Sequence, residues 1–218
     1  SAARLADKHQ QIFDITVIAP QPELRVRPRF YESHVQTLVS PLMPLFDVTG
    51  VKFLRGTVEQ LLPASKEVSW KDENGEVRLR GYDRLVLASG SHVHRDIVAG
   101  AAEHAFDLDQ LESAAVLEQH LKDLAGQPES DARNTVVVCG GGFTGIEMAL
   151  ELPGRLREIL GEDAKTRVVV VERGAQPGGR WSQELRDVII EASAELGVVW
   201  LVNAEVESVD ASGVTLKD

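Results

Sequence analysis

The sequence predicts an α/β fold built from two three-layer βαβ units, each combined with a β-meander. Three observations support this prediction. A β-branched run at 135–139 passes through closely spaced glycines into a helical pattern, and a second apolar run follows at 167–172. Earlier in the chain, apolar and polar residues alternate over 51–79 on either side of an Asn-Gly pair, which is typical of a β-hairpin.

Domain boundaries follow from the same patterns. We expect a first unit at residues 1–108, a linker with a connecting helix at 109–133, and a second unit at 134–218. The connecting helix is predicted over 109–124 and ends at a turn-rich segment, 126–131. Two blocks of similar order are therefore the main organisation, and no short internal repeat is present.

Composition places the chain among acidic globular proteins. Apolar residues make up 43% of the 218 positions, and 23 basic against 34 acidic side chains give a net charge of −11, which argues against nucleic acid as a main partner. No apolar run approaches the ~20 residues of a membrane span, and no signal peptide is visible. We therefore expect a cytoplasmic protein, with any contact to the inner face of a membrane made by sequence outside this chain.

The single cysteine, Cys139, excludes a disulfide within the chain and a Cys-x-x-Cys redox pair. Because it ends an apolar run, it is predicted to be a small buried hydrophobe. His92 and His94 form a His-x-His pair without neighbouring cysteines or clustered carboxylates, so a metal site is not expected there.

The first unit opens with a helix-favouring stretch at 1–9, followed by a strand at 13–19. The proline-rich segment 20–29 is expected to be extended, with arginines at alternate positions that include Arg29. In one interpretation these arginines flank a phosphate or a flavin. In the other they belong to a solvated connection.

Apolar residues at helical spacing over 32–46 predict a short helix, limited in length by Pro41 and Pro44. Beyond the meander, the run 82–91 is predicted to be a buried strand that breaks at a turn of small residues. A cofactor could approach the backbone at such a turn. The small residues are Ala88, Ser89, Gly90 and Ser91.

The most informative stretch is the glycine loop, residues 140–145, whose Gly-x-Gly-x-x-Gly spacing is that of a strand turning sharply into a helix. Gly140 allows the tight turn, Gly142 leaves room for a pyrophosphate, and Gly145 lets the helix pack closely on its strand. Since a helix N-terminus attracts phosphates, we expect a dinucleotide here, with a purely structural turn as the alternative. The expected contacts are Gly140, Gly141, Gly142, Phe143, Thr144 and Gly145.

Glu172 ends the strand that follows this helix. Its carboxylate can accept the ribose hydroxyl protons of an adenosine and would repel a 2′-phosphate, so the sequence favours NAD over NADP. Pro153 is expected to kink or split the intervening helix, because proline lacks an N–H and clashes with the preceding turn. Glu147 is predicted in the first helical turn, where a carboxylate either stabilises the helix dipole or faces the nicotinamide.

The second unit continues through the loop 173–180 into a helix predicted over 182–196. Strands are expected at 198–202, 205–209 and 213–216. The last two runs are typical of a hairpin.

Four stretches together resemble the FAD-dependent pyridine nucleotide-disulfide oxidoreductase superfamily, and most closely its type II NADH dehydrogenases. They are Cys-Gly-Gly-Gly-Phe-Thr-Gly-Ile-Glu-Met-Ala at 139–149, Tyr-Asp-Arg-Leu-Val-Leu-Ala-Ser-Gly-Ser at 82–91, Gly-Thr-Val-Glu at 56–59, and Val-Val-Glu at 170–172. The resemblance covers essentially the whole chain. It implies two Rossmann-like domains, an NAD domain inserted in a FAD domain, with hydride passing from NADH to the flavin and electrons on to a quinone or other acceptor.

By the same resemblance, the backbone of Val58 meets the flavin adenine, Ala88–Ser91 line the flavin site, and Glu147 lies near the nicotinamide as the candidate catalytic residue. The chain departs from the family where the glycine fingerprint for FAD is missing and where Ala19 and Pro20 replace the usual acidic strand end. The second flavin-contacting motif and the C-terminal domain are missing as well.

We therefore expect a fragment of a longer flavoprotein, in which 1–108 is a partial FAD-binding domain and 134–218 is a truncated NAD(H)-binding domain. FAD is expected in the intact protein. A ferredoxin or rubredoxin reductase and a non-catalytic NAD-binding module are the alternatives, whereas a sulfide:quinone oxidoreductase is disfavoured because its chemistry needs more thiols than Cys139. The resemblance is also compatible with a homodimer.

Overall fold

The structure is a computed structural model that describes residues 13–179 and 181–217. The helix expected at 1–9 lies outside these residues. Helices and strands mix along the chain as predicted for an α/β protein. Among the described helices, none is long and apolar enough to cross a membrane.

The first compact unit comprises residues 13–25 and 39–91. Its elements are β1 (Thr16–Ala19), β2 (Glu23–Arg25), β3 (Val39–Pro41), α1 (Met43–Thr49), β4 (Lys52–Leu62), β5 (Glu67–Asp72) and β6 (Val77–Gly81). A four-stranded sheet has the order β1-β4-β5-β6, and a separate ribbon pairs β2 with β3. β1 runs parallel to β4, whereas β4, β5 and β6 form the predicted antiparallel meander.

The hairpin between β5 and β6 turns at the Asn-Gly pair, as the sequence predicts. Gly75 has a φ of 81°, and its N–H donates to the Asp72 carbonyl at 3.0 Å. The Asp72 carboxylate also accepts the N–H groups of Asn74 and Glu76, each at 3.0 Å. Only the glycine of the pair takes a positive φ. The aspartate therefore stabilises the turn together with the glycine.

Two expected elements of the first half are wrong. The stretch 32–46 is not one helix: a 3-10 turn at Val35–Leu38 is followed by β3, and α1 begins only at Met43. Pro41 ends the ribbon strand, and Pro44 fits the first turn of α1, where a missing N–H costs nothing. The apolar residues of this stretch are therefore divided among three short elements.

The run 82–91 is not a buried strand in the described residues. It pairs with no strand there, and Val86 and Leu87 are 86% and 67% exposed. The physical reason is that a strand exists only through hydrogen bonds to a neighbouring strand. An apolar run can predict the type of element but cannot supply its neighbour.

The second compact unit comprises residues 26–38 and 92–217. Its elements are α2 (Ala101–His104), α3 (Leu111–Asp123), α4 (Asp131–Asn134), β7 (Thr135–Cys139), α5 (Phe143–Leu160), β8 (Arg167–Glu172), α6 (Gln183–Leu196), β9 (Val198–Val202), β10 (Val206–Asp210) and β11 (Gly213–Leu216). β7, β8 and β9 form a parallel sheet in that order, and β10 pairs with β11 as the predicted hairpin. The predicted connecting helix is α3.

The core of the second unit lies between α5, α3 and the parallel sheet. Its buried residues are Leu121, Leu124, Met148, Ala149, Leu152, Leu156, Val168, Val170 and Val198. Helix α5 runs without a break through Pro153, so a split at this proline is wrong. Leu152 and Leu156 are fully buried on either side of it. Core packing of this helix therefore outweighs the roughly 3 kcal/mol that an internal proline costs.

Residues 26–38 are held against helices α3 and α5 by two buried charged side chains. The Glu118 carboxylate accepts the N–H groups of His34 at 3.2 Å and Val35 at 3.1 Å, and the Lys122 ammonium at 2.7 Å. Arg155, 5% exposed, donates to the Tyr31 carbonyl at 2.9 Å. These bonds satisfy the backbone of an irregular segment that packs on the core.

Burial raises the pKa of Glu118, but hydrogen bonds from Lys122, Val35 and His34 outweigh it and hold that pKa below its ordinary value. The carboxylate therefore stabilises the folded state above the usual glutamate pKa of about 4.3, and this contribution is lost as the pH falls below that value.

We expect Glu118→Gln to lower the free energy of unfolding by about 1–3 kcal/mol at neutral pH and to flatten its acid dependence. Urea unfolding between about pH 3 and pH 7 measures both effects. Glu129→Gln, at an exposed position, is the control. An unchanged stability for Glu118→Gln would show that the carboxylate does not hold this segment.

Candidate functional site

The glycine loop connects β7 to α5 at the carboxyl edge of the parallel sheet. Gly140 has a φ of 106°, which favours glycine, and its N–H donates to the Val171 carbonyl of β8 at 2.9 Å. Gly142 is the N-cap of α5, with φ −75° and ψ 180°. The loop is therefore the sharp strand-to-helix turn that its glycine spacing predicts.

The two later glycines of the loop face opposite environments. A Cβ on Gly145 would overlap the carbonyl oxygen of Gly140 and lie 3.5 Å from a methyl group of Val138. A Cβ on Gly142 would meet nothing within 4 Å. The loop is thus closed where the helix packs on its strand and open where a ligand would approach.

The N-terminus of α5 has the properties of an anion site. No side chain caps it, and no acidic residue lies in its first turn. Gly142, Phe143 and Thr144 are exposed there, with the phenylalanine 62% exposed. The first N–H groups of a helix lack partners within the helix, and its dipole is positive at this end. Together they favour a phosphate.

Glu172, at the end of β8, lies directly beside the loop because β8 pairs with β7. Its carboxylate accepts the N–H of Gly141 at 2.7 Å on one oxygen and the N–H of Gly174 at 2.6 Å on the other. An ionised carboxylate offers about four acceptor positions. Among the described residues only these two donors use it, so about two acceptor positions remain.

A pair of aromatic rings connects the loop after β8 to the first turn of α5. The rings of Phe143 and Trp181 have centroids 4.3 Å apart at an angle of 36°. Gly178 has a φ of 60°, and a Cβ at this position would overlap the Trp181 ring. The backbone N–H of Trp181 donates to the Gly178 carbonyl at 2.9 Å. The sequence offered no periodic signal for Trp181, because the contact depends on how an irregular loop folds back.

Glu147 lies in the second turn of α5 and not in the first, because the helix begins at Phe143. Its expected stabilisation by the positive end of the helix dipole is therefore weak, since that stabilisation falls off within the first turn. Glu147 is half-buried. Tyr31 has a raised pKa, foremost through burial and next through the charge of Glu147. A tyrosine of the same unit is thus an electrostatic neighbour of this carboxylate.

The remaining predicted residues lie outside the loop. Val58 lies on β4 opposite Trp70 and is 38% exposed, and Ala88–Ser91 are exposed, with Gly90 at a φ of 73°. Arg29 is exposed and forms an ion pair with Glu32, in which Nε and Oε1 are 2.5 Å apart.

Cys139 is exposed, so its expected burial is wrong. It is the last residue of β7, which pairs only with β8 in the described sheet, and its apolar neighbours along the chain do not cover it. The His92 ring lies with Nδ1 3.5 Å from an oxygen of Asp109. In the part of the chain that the structure describes, no cluster of three metal-ligating side chains is found.

We expect Gly145→Ala to lower the free energy of unfolding by about 1–3 kcal/mol, because the added methyl overlaps backbone that cannot move without opening the turn. Gly154→Ala is the matched control: it lies in the same helix, its Cβ meets nothing within 4 Å, and the change should stabilise the protein by up to ~1 kcal/mol. Denaturant unfolding compares the two. Equal effects would contradict the close approach at Gly145.

A family model described as pyridine nucleotide-disulphide oxidoreductase matches residues 14–218. An NADH dehydrogenase-like protein of Mycobacterium tuberculosis is 37% identical over 205 residues, which cover 93% of this chain and 50% of that protein. A type II NADH:quinone oxidoreductase of Staphylococcus haemolyticus is 26% identical over 191 residues, 84% of this chain and 46% of that protein. The chain spans about half the length of these curated relatives.

Solved structures agree on the fold. NDH2 from Plasmodium falciparum, in complex with NADH, superposes with a TM-score of 0.81 at 18% identity over 94% of this chain and 46% of that one. The sulfide:quinone oxidoreductase of Aquifex aeolicus gives 0.79 at 20% identity over 100% of this chain and 51% of that one. The predicted α/β fold class with Rossmann-like domains is therefore confirmed. Since the family model covers nearly the entire sequence, the chain belongs to the pyridine nucleotide-disulphide oxidoreductase family of NAD(P)H-linked enzymes.

Proposed function

We propose that the glycine loop of residues 140–145 binds NADH, and that the chain is part of a FAD-dependent enzyme. This enzyme passes hydride from NADH to FAD and electrons on to a quinone or another acceptor. The observation that carries the proposal is the open, uncapped N-terminus of α5 beside a strand-end carboxylate. These are the two features that a dinucleotide needs, one for its pyrophosphate and one for its ribose.

The pyrophosphate is assigned to the first turn of α5. The backbone at Gly142 is accessible because no atom lies within 4 Å of where a Cβ would be. The N–H groups of Phe143 and Thr144 then act as donors, and the helix dipole adds an attractive field. In a protein with a net charge of −11, this local field is what attracts an anionic ligand.

The adenosine ribose is assigned to Glu172. Its two oxygens are oriented by the N–H groups of Gly141 and Gly174, and the unused acceptor positions take the 2′- and 3′-hydroxyl protons. A 2′-phosphate in the same place would meet a negative charge. The site therefore prefers NADH to NADPH.

FAD fits the first unit in part. Val58 lies on β4 beyond Arg55, the last residue that pairs with β1, so its backbone on that edge has no strand partner among the described residues. We assign this backbone to the adenine and assign Ala88–Ser91 of the same unit to the rest of the cofactor. When bound, FAD supplies the acceptor for the hydride.

Glu147 is assigned to the nicotinamide side of the site. It follows the glycine loop by two residues on α5, and its charge contributes to the raised pKa of Tyr31. A carboxylate here can orient the nicotinamide through hydrogen bonds, which is the role that the protein rather than the cofactor supplies.

A quinone is the acceptor that relatives favour, since their names include type II NADH:quinone oxidoreductase and demethylphylloquinone reductase. Quinones of this kind dissolve in lipid, so the reaction is placed in the cytoplasm at the inner face of a membrane. A ferredoxin-type acceptor and a non-catalytic NAD-binding role are the alternatives.

Gly142→Val is expected to abolish NADH binding while changing the melting temperature little, because the side chain fills space that is empty in the fold and needed by the pyrophosphate. NADH affinity by fluorescence titration and thermal unfolding are measured together. Gly126→Val is the matched control, since its Cβ also meets nothing within 4 Å but lies away from the loop. An unchanged NADH affinity in Gly142→Val would show that the loop is only a structural turn.

NADH should bind about tenfold to a hundredfold more tightly than NADPH, because a charged hydrogen bond at the ribose is worth ~1–3 kcal/mol. Glu172→Gln removes the charge and should bring the two dissociation constants toward equality. Glu162→Gln, at an exposed position before β8, is the control and should not change the ratio of the NADH and NADPH dissociation constants. Equal affinities in the unmodified protein would remove the ribose role from Glu172.

A further inference from the structure

Trp200 of β9 lies directly beneath the glycine loop. A Cβ added to Gly141 would lie 2.7 Å and 3.3 Å from two atoms of the six-membered ring of Trp200. The indole is fixed from the other side, because its Nε1–H donates to Ser193 Oγ at 3.0 Å. Ser193 belongs to α6 and is 2% exposed. A hydrogen bond in the interior therefore holds the ring against the loop backbone.

Gly141 is enclosed between this ring and Glu172. The same added Cβ would lie 2.8 Å from Oε2 of Glu172, and that oxygen accepts the Gly141 N–H at 2.7 Å. The Gly-x-Gly-x-x-Gly pattern asks for glycine at 140, 142 and 145 and leaves the second position free. The tryptophan explains why this chain has a glycine at 141 as well.

We propose that Trp200 is a positioning residue for the ribose carboxylate: it supports Gly141, whose N–H orients Glu172 toward the ribose hydroxyl groups. The proposal rests on NADH binding at this loop. Trp200 acts through the backbone and does not itself touch the ligand. Its effect is therefore specific to the ribose hydroxyls, whereas the pyrophosphate contacts at α5 do not depend on it.

The test compares NADH with its 2′-deoxyadenosine analogue, which lacks one hydroxyl that Glu172 would hold. The protein is expected to prefer NADH by about tenfold. Trp200→Phe keeps an aromatic core residue but removes the outer ring atoms and the Nε1–H. It should lower this preference to about twofold while leaving the affinity for the analogue nearly unchanged. Ser193→Ala removes only the hydrogen bond that holds the indole, and it should also lower the preference for NADH over the analogue.

Val198→Ala is the control for general destabilisation, because Val198 is a buried residue of the same strand that does not meet the loop. It should lower stability without changing the preference for NADH over the analogue. If Trp200→Phe weakens both ligands equally, as a merely structural residue would, the positioning role is wrong.

A double-mutant cycle tests the contact itself. Gly141→Ala is expected to destabilise the protein and to abolish the preference. It should cost less in the Trp200→Phe background, where the close contact with the Trp200 ring is gone and only the one with Glu172 remains. Urea unfolding gives this coupling even without a ligand. Equal costs in both backgrounds would overturn the proposal, whereas absence of NADH binding in the unmodified protein would refute the proposed function instead.

Discussion

The geometry of the glycine loop depends on the two hydrogen bonds that the Glu172 carboxylate accepts. The carboxylate bonds to the N–H of Gly141 in the loop after β7 and to the N–H of Gly174 in the loop after β8. One side chain thus joins the ends of two neighbouring parallel strands. Because both donors belong to the backbone, the geometry of the two loops and the direction of the carboxylate are set together.

The glycine loop meets two opposite demands within six residues. At Gly145 the chain must approach the Gly140 carbonyl so closely that no side chain fits, whereas at Gly142 the same loop must leave its backbone uncovered. The first demand concerns packing of α5 on its sheet. The second is what the proposed NADH site requires, because the N–H groups of the first helical turn must stay accessible to a phosphate.

The segment 26–38 shows how the second unit incorporates irregular chain. Buried Glu118 and Arg155 bond to backbone groups of His34, Val35 and Tyr31, and Lys122 neutralises the glutamate. Charged side chains of α3 and α5 therefore anchor this segment. The raised pKa of Tyr31, which comes foremost from burial, also carries a contribution from the charge of Glu147.

The sequence alone determined the features that depend on local periodicity and backbone chemistry: the meander, helices α3, α5 and α6, the glycine turn and the strand that ends in Glu172. Tertiary structure decided the rest. Among the described residues the run 82–91 has no neighbouring strand, Cys139 is exposed at the end of β7, and α5 continues through Pro153. Trp200 reaches Gly141 only because β9 pairs with β8. Such contacts join residues far apart in the chain, and no local pattern records which distant residue will be the partner.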